Sequence, residues 1–78
     1  MILRSYILIQ TDTGRATDVA GAVRGESGVI SAEAVTGPYD VIVLVEAGDL
    51  DAVGQLVLTA IQSVEGIVRT LTCPVVNL

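Results

Sequence analysis

Hydrophobic positions along the chain follow two alternating periods. Runs rich in β-branched and aliphatic residues, which are typical of strands, occupy residues 2–11, 29–36, 41–46 and 67–73. Between these runs, apolar residues recur at i, i+3, i+4 and i+7 over residues 14–24 and again over 50–64, which is the spacing of one helical face. The pattern predicts the element order β-α-β-β-α-β.

Acidic residues and proline mark the ends of these elements. Asp12 or Thr13 is placed to cap the first helix and Asp49 the second, because such side chains accept hydrogen bonds from the unpaired N–H groups at a helix start. Pro74 is expected to end the pairing of the last strand or to place it at the sheet edge, since proline has no N–H to donate.

Two glycines, Gly21 and Gly54, lie inside the predicted helices. A glycine in an exposed helix interior costs about 1 kcal/mol relative to alanine. We therefore expect both positions to pack closely against the sheet or against another subunit.

The two halves of the chain repeat one another. A shift of 38 residues places Val19 on Val57 and Gly28 on Gly66. Two β-α-β halves joined by a turn form a ferredoxin-like α+β sandwich, with a four-stranded antiparallel sheet and both helices on one face. A chain of 78 residues has room for one such domain, so we expect a single domain over residues 1–78.

The third strand predicts that both faces of the sheet are apolar. Val41, Val43 and Val45 point to one face, while Ile42 and Leu44 point to the other. The helices cover only one face, and a monomer would place polar residues on the uncovered one. We therefore predict a homodimer in which a second copy of the same sheet covers that face.

Composition strengthens the case for assembly. One core in a domain of this size rarely supplies more than about 3–5 kcal/mol, so disulfides, metals or oligomerisation are usually added. Cys73 is the only cysteine and there is no histidine, which leaves no internal disulfide and no soft-metal site. We expect no cofactor, and oligomerisation remains as the stabilising device.

The charge balance excludes several partners. Nine acidic residues outnumber four arginines and give a net charge of −5. This balance disfavours direct binding to nucleic acid or to an anionic membrane.

The longest uncharged stretch has thirteen residues, short of the 18 or so that a membrane span needs, and the N-terminus lacks a signal-peptide pattern. We expect a cytoplasmic protein that binds a small molecule or another protein.

The residues offer little catalytic chemistry. Without histidine there is no imidazole base and no common catalytic triad. The thiol of Cys73 has no nearby base in the sequence, and the glycines match neither the Rossmann nor the Walker spacing. We therefore predict that the protein is not an enzyme.

The turn at residues 36–40 gathers groups that suit a small zwitterion. It combines open backbone at Gly37, an aromatic ring at Tyr39 and a carboxylate at Asp40. A carboxylate suits an ammonium group, and backbone N–H groups suit a carboxylate. The alternative is a structural turn in which glycine and proline set the backbone and Asp40 bonds to it locally. On the last strand, Thr70 and Thr72 add two hydroxyl groups on one face, which are either ordinary strand residues or ligand contacts.

The sequence resembles the effector-binding domain of the leucine-responsive/asparagine-synthesis (Lrp/AsnC) family of transcription regulators. The similarity extends over nearly the whole chain and is carried by YILI at 6–9, EAVTGPYDVIV at 33–43 and GIVRTLT at 66–72. It implies the β-α-β-β-α-β fold, homodimers formed through the sheets and rings of dimers such as octamers or decamers. It also implies a small ligand, commonly an amino acid, bound between dimers.

The resemblance further implies which residues contact the ligand. The candidates are Gly37, Tyr39, Asp40, Thr70, Thr72 and, adjacent to them, Thr36. By position, the turn residues match the family's ligand loop and the two threonines match its fourth-strand hydroxyls. Asp40 is expected to receive the amino group of the ligand.

Full regulators of this family carry an N-terminal helix-turn-helix, whereas this sequence begins at the first strand of the effector domain. We expect a stand-alone effector domain that modulates transcription through a partner, such as a full-length relative that shares the ring interface.

Two other functions stay open: an interaction module that joins full-length regulators without binding a metabolite, and a dimeric α+β barrel enzyme. The missing histidine counts against the enzyme.

Overall fold

Four antiparallel strands form one sheet in the order β2-β3-β1-β4, in a computed structural model that describes residues 2–77. The elements in chain order are β1 (Leu3–Thr11), α1 (Ala16–Arg24), β2 (Val29–Ala34), β3 (Val41–Ala47), α2 (Leu50–Leu56), a π-helical segment (Val57–Ile61) and β4 (Ile67–Pro74). The predicted ferredoxin-like α+β order is confirmed.

The hydrophobic core lies between one sheet face and the helices. Alternate residues of β1 and β3 are buried, as expected for strands with one face on a core: Ser5, Ile7, Ile9, Val41, Val43 and Val45. The helices contribute the two predicted stripes, which include Val19, Val23, Val53, Val57 and Ile61. Leu50 was expected in the second stripe but is 56% exposed, because it stands at the first residue of α2.

The predicted helix cap is wrong for α1 and right for α2. Neither Asp12 nor Thr13 caps α1, which starts two residues later than expected and is preceded by Arg15 without a side-chain cap. The backbone carbonyl of Asp12 instead accepts the N–H of Arg15 at 3.0 Å and closes a turn before the helix. The side chain of Asp49 accepts the N–H of Ala52 at 2.8 Å and caps α2 as predicted.

The second helix changes its geometry after Leu56. The sequence pattern predicts regular helix as far as residue 64, but Val57–Ile61 is π-helical. Thr59 Oγ1 donates to the carbonyl of Gln55 at 2.7 Å, which competes for the acceptor that a regular α-helix uses for its own backbone. Val57 and Ile61 remain buried, so the apolar stripe still faces the core.

The second and fourth strands end for different reasons. β2 stops at Ala34, two residues before the predicted end, because the N–H of Val35 donates to the carbonyl of Asp40 at 2.9 Å and closes the following turn. β4 is an outer strand of the sheet and ends at Pro74, as predicted from the missing proline N–H.

Close packing at Gly21 and Gly54 was expected and is wrong. Both glycines are exposed, and a Cβ at either position would meet nothing within 4 Å beyond the helix's own backbone. Gly21→Ala is therefore expected to raise the free energy of unfolding by about 0.5–1 kcal/mol, because alanine loses less backbone entropy on folding. Thermal unfolding followed by circular dichroism measures this, and a lower Tm for the variant would contradict it.

The sheet face away from the helices, called the free sheet face below, is apolar at its centre. The central residues are Tyr6 and Leu8 of β1, Ile42 and Leu44 of β3, and Leu71 and Cys73 of β4. Tyr6 is 44% and Leu71 46% exposed. Polar residues lie around this centre, among them the ion pair of Arg4 Nε with Glu46 Oε1 at 3.5 Å. The sheet is thus apolar on both faces, as the strand pattern predicted.

Candidate functional site

The turn between β2 and β3 is exposed at Gly37. This glycine has a φ of +138°, where residues with a side chain are strained. A Cβ at Gly37 would meet no atom within 4 Å. Thr36 and Gly37 are exposed, and Tyr39 is half-buried. These three candidate residues therefore lie together on one accessible turn.

Hydrogen bonds tie this turn to the end of β1. The N–H of Asp40 donates to the carbonyl of Ile9 at 2.8 Å, and the Oδ2 of Asp40 accepts the N–H of Thr11 at 2.8 Å. The Nε2 of Gln10 donates to the carbonyl of Pro38 at 3.1 Å. The turn is therefore held against β1, and the half-buried Asp40 side chain is part of what holds it.

The Asp40 carboxylate still has one oxygen available. Among residues 2–77, only Oδ2 takes part in a hydrogen bond, and no arginine forms an ion pair with this side chain. The bond to the Thr11 N–H is what a structural turn requires. The remaining oxygen and the negative charge are what an ammonium ligand requires.

Thr70 and Thr72 lie on the helix side of β4. They pair with Ile9 and Ile7, whose side chains are buried beneath the helices, so the threonine side chains point to that same face. Thr72 is exposed. Thr70 is half-buried, and its Oγ1 accepts the Nε2 of Gln62 at 3.1 Å.

The structure places the turn and the two threonines on opposite sides of β1. Ile9 pairs with Val41 on one side and with Thr70 on the other. Because neighbouring strands are about 4.8 Å apart, the end of the turn and Thr70 are separated by roughly 10 Å. Within one protomer, the candidate residues therefore form two groups rather than one pocket.

A cleft that the sequence did not indicate lies beside Thr70. It has a volume of about 260 Å³, lies between the end of the second helix and β4, and is lined by Gln62, Ile67, Val68, Arg69 and Thr70. Gln62 and Arg69 were missed because the approach of the helix end to β4 is a tertiary contact. The available signal was the position of Arg69 inside the run at 66–72 that carries the family resemblance. A larger groove, lined in part by Arg4 and Glu46, contains none of the candidates.

Hydrogen bonding and charge pairing are the chemistry that these groups offer. Residues 2–77 contain no cluster of three side chains that could hold a metal ion. No helix in the same range is long and apolar enough to cross a membrane. Carboxylate, hydroxyl and amide groups of this kind bind a small polar ligand by hydrogen bonds and charge pairing.

The family of the chain follows from its sequence over almost its full length. The model of the Lrp/AsnC ligand binding domain matches residues 4–77. The chain therefore belongs to the Lrp/AsnC ligand binding domain family, and the resemblance carried by residues 6–9, 33–43 and 66–72 is confirmed. It is a small-molecule-sensing domain of the kind found in transcription regulators.

Solved structures show the same fold. TTHA0845 from Thermus thermophilus is 29% identical with a TM-score of 0.89, over 97% of this chain and 95% of that one. The hypothetical protein PHS023 from Pyrococcus horikoshii is 28% identical with a TM-score of 0.86, over 100% and 93%. The transcriptional regulator NMB0573 from Neisseria meningitidis, solved as an L-Met complex, is 25% identical with a TM-score of 0.83, over 96% of this chain and 50% of the regulator. A search of curated protein sequences gave no significant match.

Proposed function

We propose that this domain binds a free amino acid, couples that binding to its own assembly, and modulates transcription indirectly through partner regulators. Membership of the ligand-binding family and the L-Met complex of the Neisseria regulator support an amino acid as ligand. The observation that carries the proposal is the turn at 36–40, which combines a carboxylate without a counter-ion among residues 2–77 with the exposed backbone of Gly37.

Asp40 receives the ammonium group of the ligand in this proposal. An ammonium group has three donors and a positive charge, so it suits the carboxylate oxygen that the Thr11 N–H does not use. The exposed backbone at Gly37 allows close approach of the ligand's α-carboxylate, and Thr36 and Tyr39 belong to the same turn. The turn thus binds the main-chain groups that all amino acids share.

Assembly completes the site in this proposal. Thr70 and Thr72 lie roughly 10 Å from the turn, across β1, which is farther than the main-chain groups of one amino acid reach. Sheet-to-sheet homodimers that associate into a ring, such as an octamer or decamer, would bring the turn of one dimer to β4 of a neighbouring dimer. A ligand at that seam touches both dimers and shifts the equilibrium toward the assembled state.

Calorimetric titration of Asp40 variants tests the assigned role. Asp40→Asn keeps an oxygen for the Thr11 N–H but removes the charge, whereas Asp40→Ala removes both. If the charge binds an ammonium group, both variants lose amino-acid affinity by about tenfold or more relative to the unsubstituted protein. Asp51→Asn makes the same charge change at an exposed position in the first turn of α2 and is expected to bind normally.

The two substitutions at Asp40 separate binding from structure. Normal binding by Asp40→Asn together with loss in Asp40→Ala would show that the carboxylate only holds the turn. Equal amino-acid affinity of the unsubstituted protein, Asp40→Asn and Asp40→Ala would show that Asp40 does not bind the ligand. A protein that binds none of the twenty amino acids would contradict the sensing role itself.

An interaction module is the second candidate function, and the hydrogen bond from Thr11 to Asp40 favours it because that bond gives the carboxylate a structural purpose. Such a module would form mixed assemblies with a full-length Lrp/AsnC regulator in the absence of any amino acid. Mixing the two proteins and measuring the mass of the product with and without amino acids distinguishes the candidates.

A further inference from the structure

The two outer strands of the sheet differ in how their free edges are covered. β2 and β4 each lack a neighbouring strand on one side. An outer strand presents unpaired N–H and C=O groups that can pair with a strand of another chain. Among residues 2–77, no side chain forms a hydrogen bond with the backbone of β4, whereas one does so with β2. The edge of β2 is therefore the covered one.

Ala32 of β2 directs its backbone groups to the outside of the sheet. The N–H of Glu46 donates to the carbonyl of Gly28 at 2.9 Å, so alternate residues of β3, including Leu44, bond toward β2. Ser31, which lies opposite Leu44, bonds back toward β3. Ala32 follows Ser31, and consecutive residues of a strand direct their backbone groups to opposite sides. The N–H and C=O of Ala32 thus lie on the free edge.

Arg24 occupies the acceptor on this edge. Its Nε donates to the carbonyl of Ala32 at 3.2 Å, and its Nη2 donates to the same oxygen. A carbonyl oxygen has two lone pairs, so these two bonds leave no acceptor there for a strand of another chain. Arg24 stands in the last turn of α1, which packs beside β2, and this position brings the guanidinium to the edge.

The charge of Arg24 is used on a neutral group. The protein has nine acidic residues, yet within residues 2–77 Arg24 forms no ion pair. A strand that paired with β2 would have to displace the guanidinium or bury its charge in the new interface, and burying an unpaired charge is costly. Charged side chains at an outer strand are a usual means of preventing such pairing.

A β-bulge interrupts the same edge. The pairing of β2 with β3 shifts register between Val29 and Ser31, so Ile30 is an extra residue of β2. A bulge bends the strand and disrupts the regular ladder that a second strand would need. The regular part of this edge is therefore confined to residues 31–34, and one side chain there is enough to block pairing.

We propose that Arg24 closes the edge of β2 to strand addition and thereby keeps assemblies of this domain finite. A sheet that is open at both edges can pair with two other chains and grow without limit, whereas one open edge allows at most a closed pair. With the edge of β2 closed, association is left to other surfaces, such as the free sheet face. This role does not depend on whether the domain binds an amino acid.

Arg24→Met tests this role, because it keeps a long unbranched side chain but removes the charge and every donor. We expect static light scattering to show a mass that keeps rising with concentration and time, to about tenfold or more above that of the unsubstituted protein. Arg4→Met makes the same charge change on β1, an inner strand, and is expected to show no such growth. Continued growth of the unsubstituted protein, or a finite mass for Arg24→Met, overturns the proposal.

Adding Ala34→Pro to Arg24→Met separates strand addition from aggregation of unfolded chains. The N–H of Ala34, two residues after Ala32, also faces outward, so proline removes it without breaking a bond to β3. If growth proceeds through the edge of β2, the double variant stays finite. Equal growth of the double variant, or of Arg4→Met, would show that growth follows another route. Lower stability of Arg24→Met in urea without growth would show that Arg24 only holds α1 to β2. Either result contradicts the proposal.

Discussion

We expect the unsubstituted protein to form a dimer or a larger assembly in solution, and Leu71→Glu to yield single chains. Leu71 lies on the free sheet face, opposite Leu8, and is 46% exposed. In a dimer formed through this face, the new carboxylate would be buried against an apolar surface, which costs several kcal/mol per unpaired charge. The chain itself is expected to fold, because the side chain is already half exposed before assembly.

The layout of the free sheet face is the physical basis of this expectation. Apolar side chains from three strands fill its centre, and polar or charged groups such as the Arg4–Glu46 ion pair stand at its border. An apolar centre with a polar rim is the usual anatomy of a protein interface. A second copy of this face is its simplest complement, because a two-fold axis pairs the same apolar centre with itself.

Analytical ultracentrifugation over a range of concentrations measures the expected change in mass. Leu58→Glu is the matched control, since Leu58 is 61% exposed on the π-helical segment, outside the sheet. It is expected to retain the dimer. An unchanged assembly mass for Leu71→Glu, or a monomeric unsubstituted protein, would show that the free sheet face is not the interface.

Gly66→Ala is expected to lower the free energy of unfolding by about 1–3 kcal/mol, a large share of the stability of so small a domain. Gly66 has a φ of +98°, and a Cβ there would lie 3.2 Å from Arg15 Cβ and 3.3 Å from Val19 Cγ2. Val19 is fully buried in the core, so it has little room to move away. The Gly66 carbonyl also accepts the N–H of Asp12 at 2.8 Å, which fixes the backbone at the point of contact.

Urea unfolding of Gly66→Ala and Gly21→Ala side by side provides the test. The substitution is the same at both positions, but the environment differs. A Cβ at Gly21 meets no atom within 4 Å, whereas a Cβ at Gly66 contacts Arg15 and Val19. The two variants are therefore expected to change stability in opposite directions. If Gly66→Ala were as stable as the unsubstituted protein, Arg15 and Val19 would be able to move away from residue 66 without a loss of stability, which contradicts the prediction.

The fold was predictable where the signal lies in consecutive residues. Period-2 and period-3.6 patterns gave the strands, the helices and the two apolar sheet faces, because side-chain direction follows from backbone geometry alone. The repeat at a shift of 38 residues also has a structural counterpart. Gly28 and Gly66, which it superimposes, have φ values of +89° and +98° and precede β2 and β4.

The failures concern the local geometry of the helices. The N-cap position of α1 is occupied by Arg15, whose side chain does not cap the helix, and Gly21 lies on the exposed side of the helix. The Thr59 hydroxyl donates to the Gln55 carbonyl at the start of the π-helical segment, and the apolar stripe carried no sign of this. Each of these features is a local departure that leaves the overall topology unchanged.

For the candidate site, the sequence identified the groups, and the structure decided how they are arranged. By itself, the sequence determined the residues of the turn at 36–40 and the shared face of Thr70 and Thr72, because each group lies within one short segment. Only the tertiary structure decided that the two groups flank β1, since strand register joins residues far apart in sequence. The bond between Thr11 and Asp40, 29 residues apart, and the contact of Gln62 with Thr70 have the same origin. Distances between segments are set by packing, which no local pattern specifies.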